Sequence, residues 1–249
     1  MQDVLLKMGG RLRLMDPPTH PKGILLICPG GGYQWRSPRE AEPVARAFAA
    51  GGWAAAVLEY TVRSDESMPF LGKTPLLQLG QAAAWLKAQY PGLPLVVCGF
   101  SAGGHLAASL GVHWQQLGLP RPDALVLGYP VITAGPYAHR GSLANLAPEE
   151  YWDWFSLEKH VSAGTPPVFC WHTMTDPEVP VENSLLLADA LHRAGVPCEL
   201  HLYPRGVHGL SLATPEVEEP EKQRFADSHI ASWVALCLDW LDTFVNRKE

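Results

Sequence analysis

The sequence predicts an α/β protein: a mostly parallel central sheet with helices on both faces. Three observations carry this. Short, unbroken apolar runs such as GILLIC (Gly23–Cys28) recur along the chain, and such runs read as strands buried on both faces. Amphipathic helical stretches alternate with them, which calls for crossover connections and therefore parallel neighbours. Gly and Pro close most of the stretches, so the punctuation agrees with the periodicity.

The elements follow in order. Val4–Met8 and Arg11–Met15 read as an opening pair of strands. Gly23–Cys28 is a strand, ended by Pro29 and three glycines. Arg39–Ala50 is a helix, stopped by Gly51-Gly52. Trp53–Leu58 is a strand, Leu76–Tyr90 a helix stopped by Pro91-Gly92, Leu95–Cys98 a strand and Ala102–Gln116 a helix. Ala124–Leu127 and Pro166–Trp171 are strands, and a helix runs from about Val181 to Ala194. Glu199–Tyr203 is the last strand and Phe225–Phe244 the closing helix, with Trp233 and Trp240 expected in the core. Residues 131–164 break the rhythm. They are rich in Tyr and Trp, and two readings fit: a surface excursion with one short helix, or a partial lid or substrate wall. No repeat or low-complexity linker divides the 249 residues, so a single domain over 1–249 is expected.

Composition narrows the function classes. A formal net charge of −6 argues against nucleic acid or an anionic membrane as a partner, since both need a basic face. No apolar run approaches a membrane span, and the opening MQDVLLKMGG holds no stretch of signal-peptide length. The five cysteines have no framework spacing and fit a reducing compartment. A cytoplasmic location is the expectation. The ten histidines show no metal-ligand spacing, and neither metal nor cofactor is expected.

In a parallel sheet, chemistry sits just past the carboxyl ends of the strands. Gly99-Phe100-Ser101-Ala102-Gly103 lies there, between the strand LVVC and the helix HLAASLGVHW. A tight turn from strand into helix exposes the serine hydroxyl above a helix N-terminus, and glycine at 99 and 103 avoids clashes in it. Ser101 is therefore the candidate nucleophile. Pro29-Gly30-Gly31-Gly32-Tyr33 follows an earlier strand. A glycine run there lets the backbone aim an N–H of Gly31 or Gly32 at a developing oxyanion, with the N–H of Ala102 as second donor. The spacing does not match a phosphate-binding glycine loop.

A serine needs a base, and the base needs a carboxylate that fixes its tautomer. Asp176 ends PPVFCWHTMTD just past a strand, and His208 lies in a Gly-flanked loop just past the last strand. Their chain order, serine then acid then histidine, suits this arrangement. Glu178 is the runner-up acid. His172 is expected to pack or hydrogen-bond, His105 to pack against the turn, and His201 to sit inside the last strand. Asp123 and Asp153 fall in the wrong elements, and Cys98 and Cys170 sit on no exposed elbow.

With these residues in place, the chain resembles the α/β-hydrolase esterase/lipase group, and within it bacterial acetyl xylan esterase-like (endo-1,4-β-xylanase B-like) proteins. The resemblance rests on CPGGGY (28–33), Arg39-Glu40, GFSAGGHLAASL (99–110), WHTMTDPEVPVENS (171–184) and ELHLYPRGVHGL (199–210). It implies the α/β-hydrolase fold, places the triad on Ser101, Asp176 and His208, and implies a small-molecule ester substrate, with acetylated xylan-derived oligosaccharides as one form. Pro29 stands where the related lipase motif has histidine. Tyr33, Trp35, Trp152 and Trp154 then either stack on sugar rings or pack a small acyl pocket. Glycosidic cleavage wants two facing carboxylates, and the sequence singles out no such pair. An amide hydrolase on the same triad is the alternative; a non-catalytic binding protein fits less well, because every part of the constellation is present.

Overall fold

The computed structural model describes residues 2–244. Eight strands form one sheet: β1 (Gln2–Leu5), β2 (Arg11–Leu14), β3 (Ile24–Cys28), β4 (Ala54–Glu59), β5 (Leu95–Phe100), β6 (Ala124–Gly128), β7 (Val168–Thr173) and β8 (Cys198–Tyr203). Their spatial order is β1-β2-β4-β3-β5-β6-β7-β8. The pairs β1–β2 and β2–β4 are antiparallel, and every other pair is parallel. The predicted mostly parallel sheet is the observed one.

The reason lies in the apolar runs. Every residue of β3, β5, β6 and β7 is buried, so both faces of the central strands must be covered. Alternate residues of β3 serve different faces. Ile24, Leu26 and Cys28 join Leu79, Ala83, Leu106 and Leu110 on one side; Leu25 and Ile27 join Phe48, Trp233 and Trp240 on the other. Helices α2 (Thr74–Gln89) and α3 (Ala102–Leu117) thus cover the first face with α5 (Glu182–Arg193), while α1 (Glu42–Ala50) and α7 (Trp233–Phe244) cover the second. The edge is different. In β2 only Leu12 and Leu14 turn inward, and Arg11 and Arg13 face solvent beside Asp3 and Glu59.

Boundaries moved where backbone chemistry intervenes. The helix predicted from Arg39 begins at Glu42, after a short 3-10 turn over Pro38–Glu40, because Pro43 suits the first helical turn. The closing helix predicted from Phe225 is two helices. Asp227 caps the short α6 (Ser228–Ala231) by accepting the His229 and Ile230 N–H groups, and α7 starts after Ser232. Strand β7 starts at Val168, since Pro166 and Pro167 lack ladder donors.

Residues 131–164 hold more than one short helix: α4 (Arg140–Leu146), then 3-10 turns over Glu149–Phe155 and Leu157–His160. Ile132, Leu143, Leu146, Trp152, Phe155 and Leu157 join the α2/α3 core. The segment is packed onto the α2/α3 layer, and it contributes a single lining residue, His139, to the cleft that holds Ser101. No helix among the described residues is long and apolar enough to cross a membrane.

Candidate active site

Ser101 follows β5 directly and precedes α3. Its backbone sits at φ 53°, ψ −122°, a region that L-residues rarely adopt. Three interactions hold it there. Its N–H donates to Gly128 O at 3.0 Å, and its carbonyl accepts the N–H groups of His105 (3.0 Å) and Val131 (3.1 Å). Sterics make the turn tight: a Cβ at Gly99 would run into the carbonyl of Gly103, and one at Gly103 into the carbonyls of Cys28 and Pro29. The elbow therefore lies directly on the end of β3, which brings the glycine run beside the serine.

His208 Nε2 lies 2.8 Å from Ser101 Oγ, and His208 Nδ1 lies 2.7 Å from Asp176 Oδ2. An ionised carboxylate can only accept, so Nδ1 carries the proton, Nε2 is the acceptor, and the serine hydroxyl donates to it. The Asp176 side chain is wholly buried and well supplied with donors. Its Oδ1 accepts the N–H groups of Glu178 and Val179, both at 2.9 Å. Burial pushes the carboxyl up. The hydrogen bonds from His172 and His208, the charge of His208 and the Val179 N–H outweigh this and hold it well below its ordinary range. Asp176 therefore stays ionised and keeps the His208 tautomer fixed.

His172 supports the acid. Its Nε2 lies 3.0 Å from Val179 O and 3.3 Å from Asp176 Oδ2, so Nε2–H is the donor, and Nδ1 accepts the Ser184 hydroxyl at 2.8 Å. Glu178, the runner-up acid, lies exposed and away from His208 Nδ1, with its carboxylate 3.9 Å from Arg224.

The glycine run curls over Ser101. Gly31 (φ 124°), Gly32 (φ 63°) and Tyr33 (φ 59°) all have positive φ. The Gly30 N–H is taken by Glu40 Oε2 at 2.8 Å, whereas among the described residues the N–H groups of Gly31 and Gly32 meet no protein acceptor. Ala102 opens α3, where a first-turn N–H has no helical partner. The N–H groups of Gly31, Gly32 and Ala102 are thus among those without a protein acceptor near Ser101.

The aromatic candidates divide. Trp35 lines the cleft that contains Ser101 and His208. Tyr33 is buried the other way, its hydroxyl 2.8 Å from His105 Nδ1. Trp152 is buried, with Nε1–H donating to Ala147 O at 2.8 Å. Trp154 stacks on His113 at 4.0 Å between ring centroids, with the Lys73 ammonium also over its ring. Tyr33 and Trp152 are therefore core groups, and Trp154 is half-buried against that core: each ring finds partners inside the protein.

Other groups at the site have no role that the sequence assigns. Glu40, buried, accepts the Gly30 N–H on one oxygen and the Tyr129 hydroxyl (2.7 Å) on the other. Tyr129 packs edge-on against His208, at 5.0 Å between ring centroids. Arg224 Nε–H donates to His208 O at 2.8 Å. His139 enters the cleft from the 131–164 segment. Arg39-Glu40 stood out as a pair, but nothing in the sequence assigned its role. Burial pushes the thiols of Cys28, Cys98 and Cys170 well up, so none offers a thiolate.

Comparison with known proteins places the chain in a family. A model of the prolyl oligopeptidase family matches residues 72–239. The chain is 40% identical over 210 residues to endo-1,4-β-xylanase B of Butyrivibrio fibrisolvens, covering 77% of this chain and 33% of that protein. It is 29% identical over 209 residues to the acetylxylan esterase of Xylanibacter ruminicola, covering 79% and 43% respectively. The chain thus spans less than half the length of these curated relatives. Among solved structures it is similar to an acetyl ester-xyloside bifunctional hydrolase from Caldicellulosiruptor lactoaceticus, with TM-score 0.80, 34% identity, and coverage of 96% of this chain and 90% of that one. The expected α/β-hydrolase fold is the one observed.

Proposed function

We propose a function from one premise: the chain belongs to the prolyl oligopeptidase family of α/β hydrolases. It is a carboxylic ester hydrolase that works through an acyl-enzyme on Ser101. The carrying observation is the continuous hydrogen-bonded line Asp176–His208–Ser101, at 2.7 and 2.8 Å, beneath a glycine run with free N–H groups.

In this reading His208 Nε2 takes the Ser101 proton as Oγ attacks the ester carbonyl. The carbonyl oxygen becomes an oxyanion held by the N–H groups of Ala102 and of Gly31 or Gly32, each donor contributing about 3 kcal/mol to lowering the barrier. His208 returns the proton to the leaving alcohol, water attacks the acyl-enzyme by the same route, and the carboxylic acid is released as Ser101 is regenerated. Asp176, ionised throughout, stabilises the imidazolium.

The favoured substrate is a short acyl ester, an acetyl group on a xylose-derived alcohol. Two things support this: the names of the acetylxylan esterase and of the acetyl ester-xyloside hydrolase, and a cleft of only about 190 Å³ whose walls are part polar and part apolar. Glycosidic cleavage is not part of the reading. Of the cleft's glutamates, Glu40 is committed to Gly30 and Tyr129. A cytoplasmic setting suits the five unpaired cysteines.

An amide hydrolase on the same triad is the second reading, favoured by the family's description. Rates on p-nitrophenyl acetate and on the matching anilide, measured side by side, separate the two. Ser101→Ala is expected to lower ester turnover by roughly 10⁴-fold or more with an unchanged circular dichroism spectrum. Retained turnover in a folded S101A protein removes the reading.

A further inference from the structure

His139 is the N-cap of α4, an unusual place for an imidazole. Its Nδ1 accepts the Ser142 N–H at 3.2 Å and lies 2.8 Å from Ser142 Oγ. A ring nitrogen that accepts a backbone N–H carries no proton. The proton of the neutral ring is therefore on Nε2, and among the described residues nothing accepts it. The ring lines the same cleft as Ser101, His208 and Trp35. Burial, and the charge His208 acquires, lower the affinity of this ring for a second proton, so His139 stays a neutral donor and does not compete with His208 as a base.

A second polar group shares the cleft. The Glu178 carboxylate lines it too, more than half exposed, and its closest cation is the Arg224 guanidinium at 3.9 Å. That is too long for a hydrogen bond. The carboxylate therefore has accepting capacity left. A donor fixed by a cap and an acceptor with open lone pairs are what a hydroxyl group needs, because a hydroxyl both accepts and donates. An acyl chain would satisfy neither.

We infer that His139 and Glu178 form a hydroxyl-recognition subsite for the alcohol portion of the ester, His139 Nε2–H donating to a substrate hydroxyl near the acylated carbon and Glu178 accepting from it. The inference rests on the reading of Ser101 as nucleophile and adds a specificity determinant to it. Simple alkyl esters leave both groups to water, whereas an ester of a diol or sugar fills them.

Two substitutions at one position separate recognition from folding. Asn in place of His139 keeps an acceptor at the N-cap, a position Asn favours, but its amide does not reach the place of Nε2. Gln puts an N–H near that place and gives up the cap. The readout is the ratio of kcat/KM for 2-hydroxyethyl acetate to that for ethyl acetate, together with Tm. The wild-type enzyme is expected to favour the hydroxyl-bearing ester by about tenfold or more, one good hydrogen bond's worth of discrimination. His139→Asn is expected to erase the preference with Tm near wild type, and His139→Gln to keep most of it with a lower Tm. Glu178→Gln is expected to lower the ratio part way. A wild-type enzyme without the preference, or H139N retaining it, overturns the subsite while leaving the esterase reading intact. Failure to hydrolyse either ester takes both down.

Discussion

The nucleophile and its base are held in opposite ways. The elbow around Ser101 is held by exclusion: Gly99, Gly103 and Gly104 leave no room for a side chain, and the enclosing atoms belong mainly to the backbone of the elbow and of β3. The loop that carries His208 is held by side chains reaching in from distant parts of the chain. Arg224 donates to His208 O, and Arg39 Nη1 to Gly209 O at 2.7 Å. The Tyr129 hydroxyl accepts the Ser211 N–H at 2.9 Å, and Trp233 Nε1–H donates to Ser211 O at 3.0 Å. Both Arg39 and Arg224 also pair with Glu219. The difference teaches where each half fails. A steric frame tolerates no added atom and fails as a fold, whereas a tethered loop loses aim while the fold survives.

The sharpest way to break this comparison is Gly103→Ala. The new methyl group meets two carbonyls that belong to β3 and the turn after it, so no rotamer relieves it. The expected cost is above about 4 kcal/mol, at the far end of what single substitutions do, with little soluble protein. A G103A variant whose urea midpoint lies within experimental error of wild type would show that the elbow is not sterically fixed.

Next in size is a pH effect that includes the elbow side. His105 lies one turn after Ser101 and is fully buried. Its Nε2–H donates to Phe155 O at 2.9 Å, and its Nδ1 accepts the Tyr33 hydroxyl. Burial holds its pKa down at about 4, against an ordinary 6.5. The folded state thus keeps the ring neutral where the unfolded chain protonates it. The contribution of His105 to stability is complete above pH 6.5 and declines as pH falls toward 4, by roughly 3 kcal/mol across that window. Urea midpoints at pH 7.5 and pH 5 measure the decline, and His105→Gln is expected to lessen it, the remainder coming from groups such as His113, whose pKa burial also holds down at about 4. A wild-type midpoint that does not fall would mean the ring is not held neutral.

The same contrast explains what could be read from the sequence. Ser101, Asp176 and His208 stood out because each follows a strand and because strand ends bring such residues to one edge, whatever the loops do. The glycine run stood out because its signal is local. Glu40 and Tyr129 are 89 residues apart, Arg39 and Gly209 170 apart. No local pattern marks such pairs, since only the packed sheet brings them together. The aromatics misled for a related reason. Tyr33, Trp152 and Trp154 occur near candidate site segments, but a large ring is also what a core needs, and which side it faces is decided by neighbours such as His105, Ala147 and His113. The closing helix was legible in extent but not in its break, which depends on the capping of α6 by Asp227.

The smallest expected effect tests the tethered half of the comparison. Arg224→Lys keeps a cation beside Glu219, with which Arg224 pairs at 2.5 Å, but a lysine ammonium cannot reproduce the planar fork that holds Glu219 and His208 O together. The backbone of His208 is then less well fixed, while its bond to Asp176 is untouched. The expected outcome is a loss of about tenfold in kcat/KM on p-nitrophenyl acetate, equivalent to about 1.4 kcal/mol, with a Tm change of no more than a few degrees. The loss should appear mainly in kcat, because the aim of the base matters most as the proton moves. A kcat/KM unchanged in R224K would mean that the remaining tethers from Arg39, Tyr129 and Trp233 suffice, and that the guanidinium contributes to the shape of the cleft more than to the placement of the histidine.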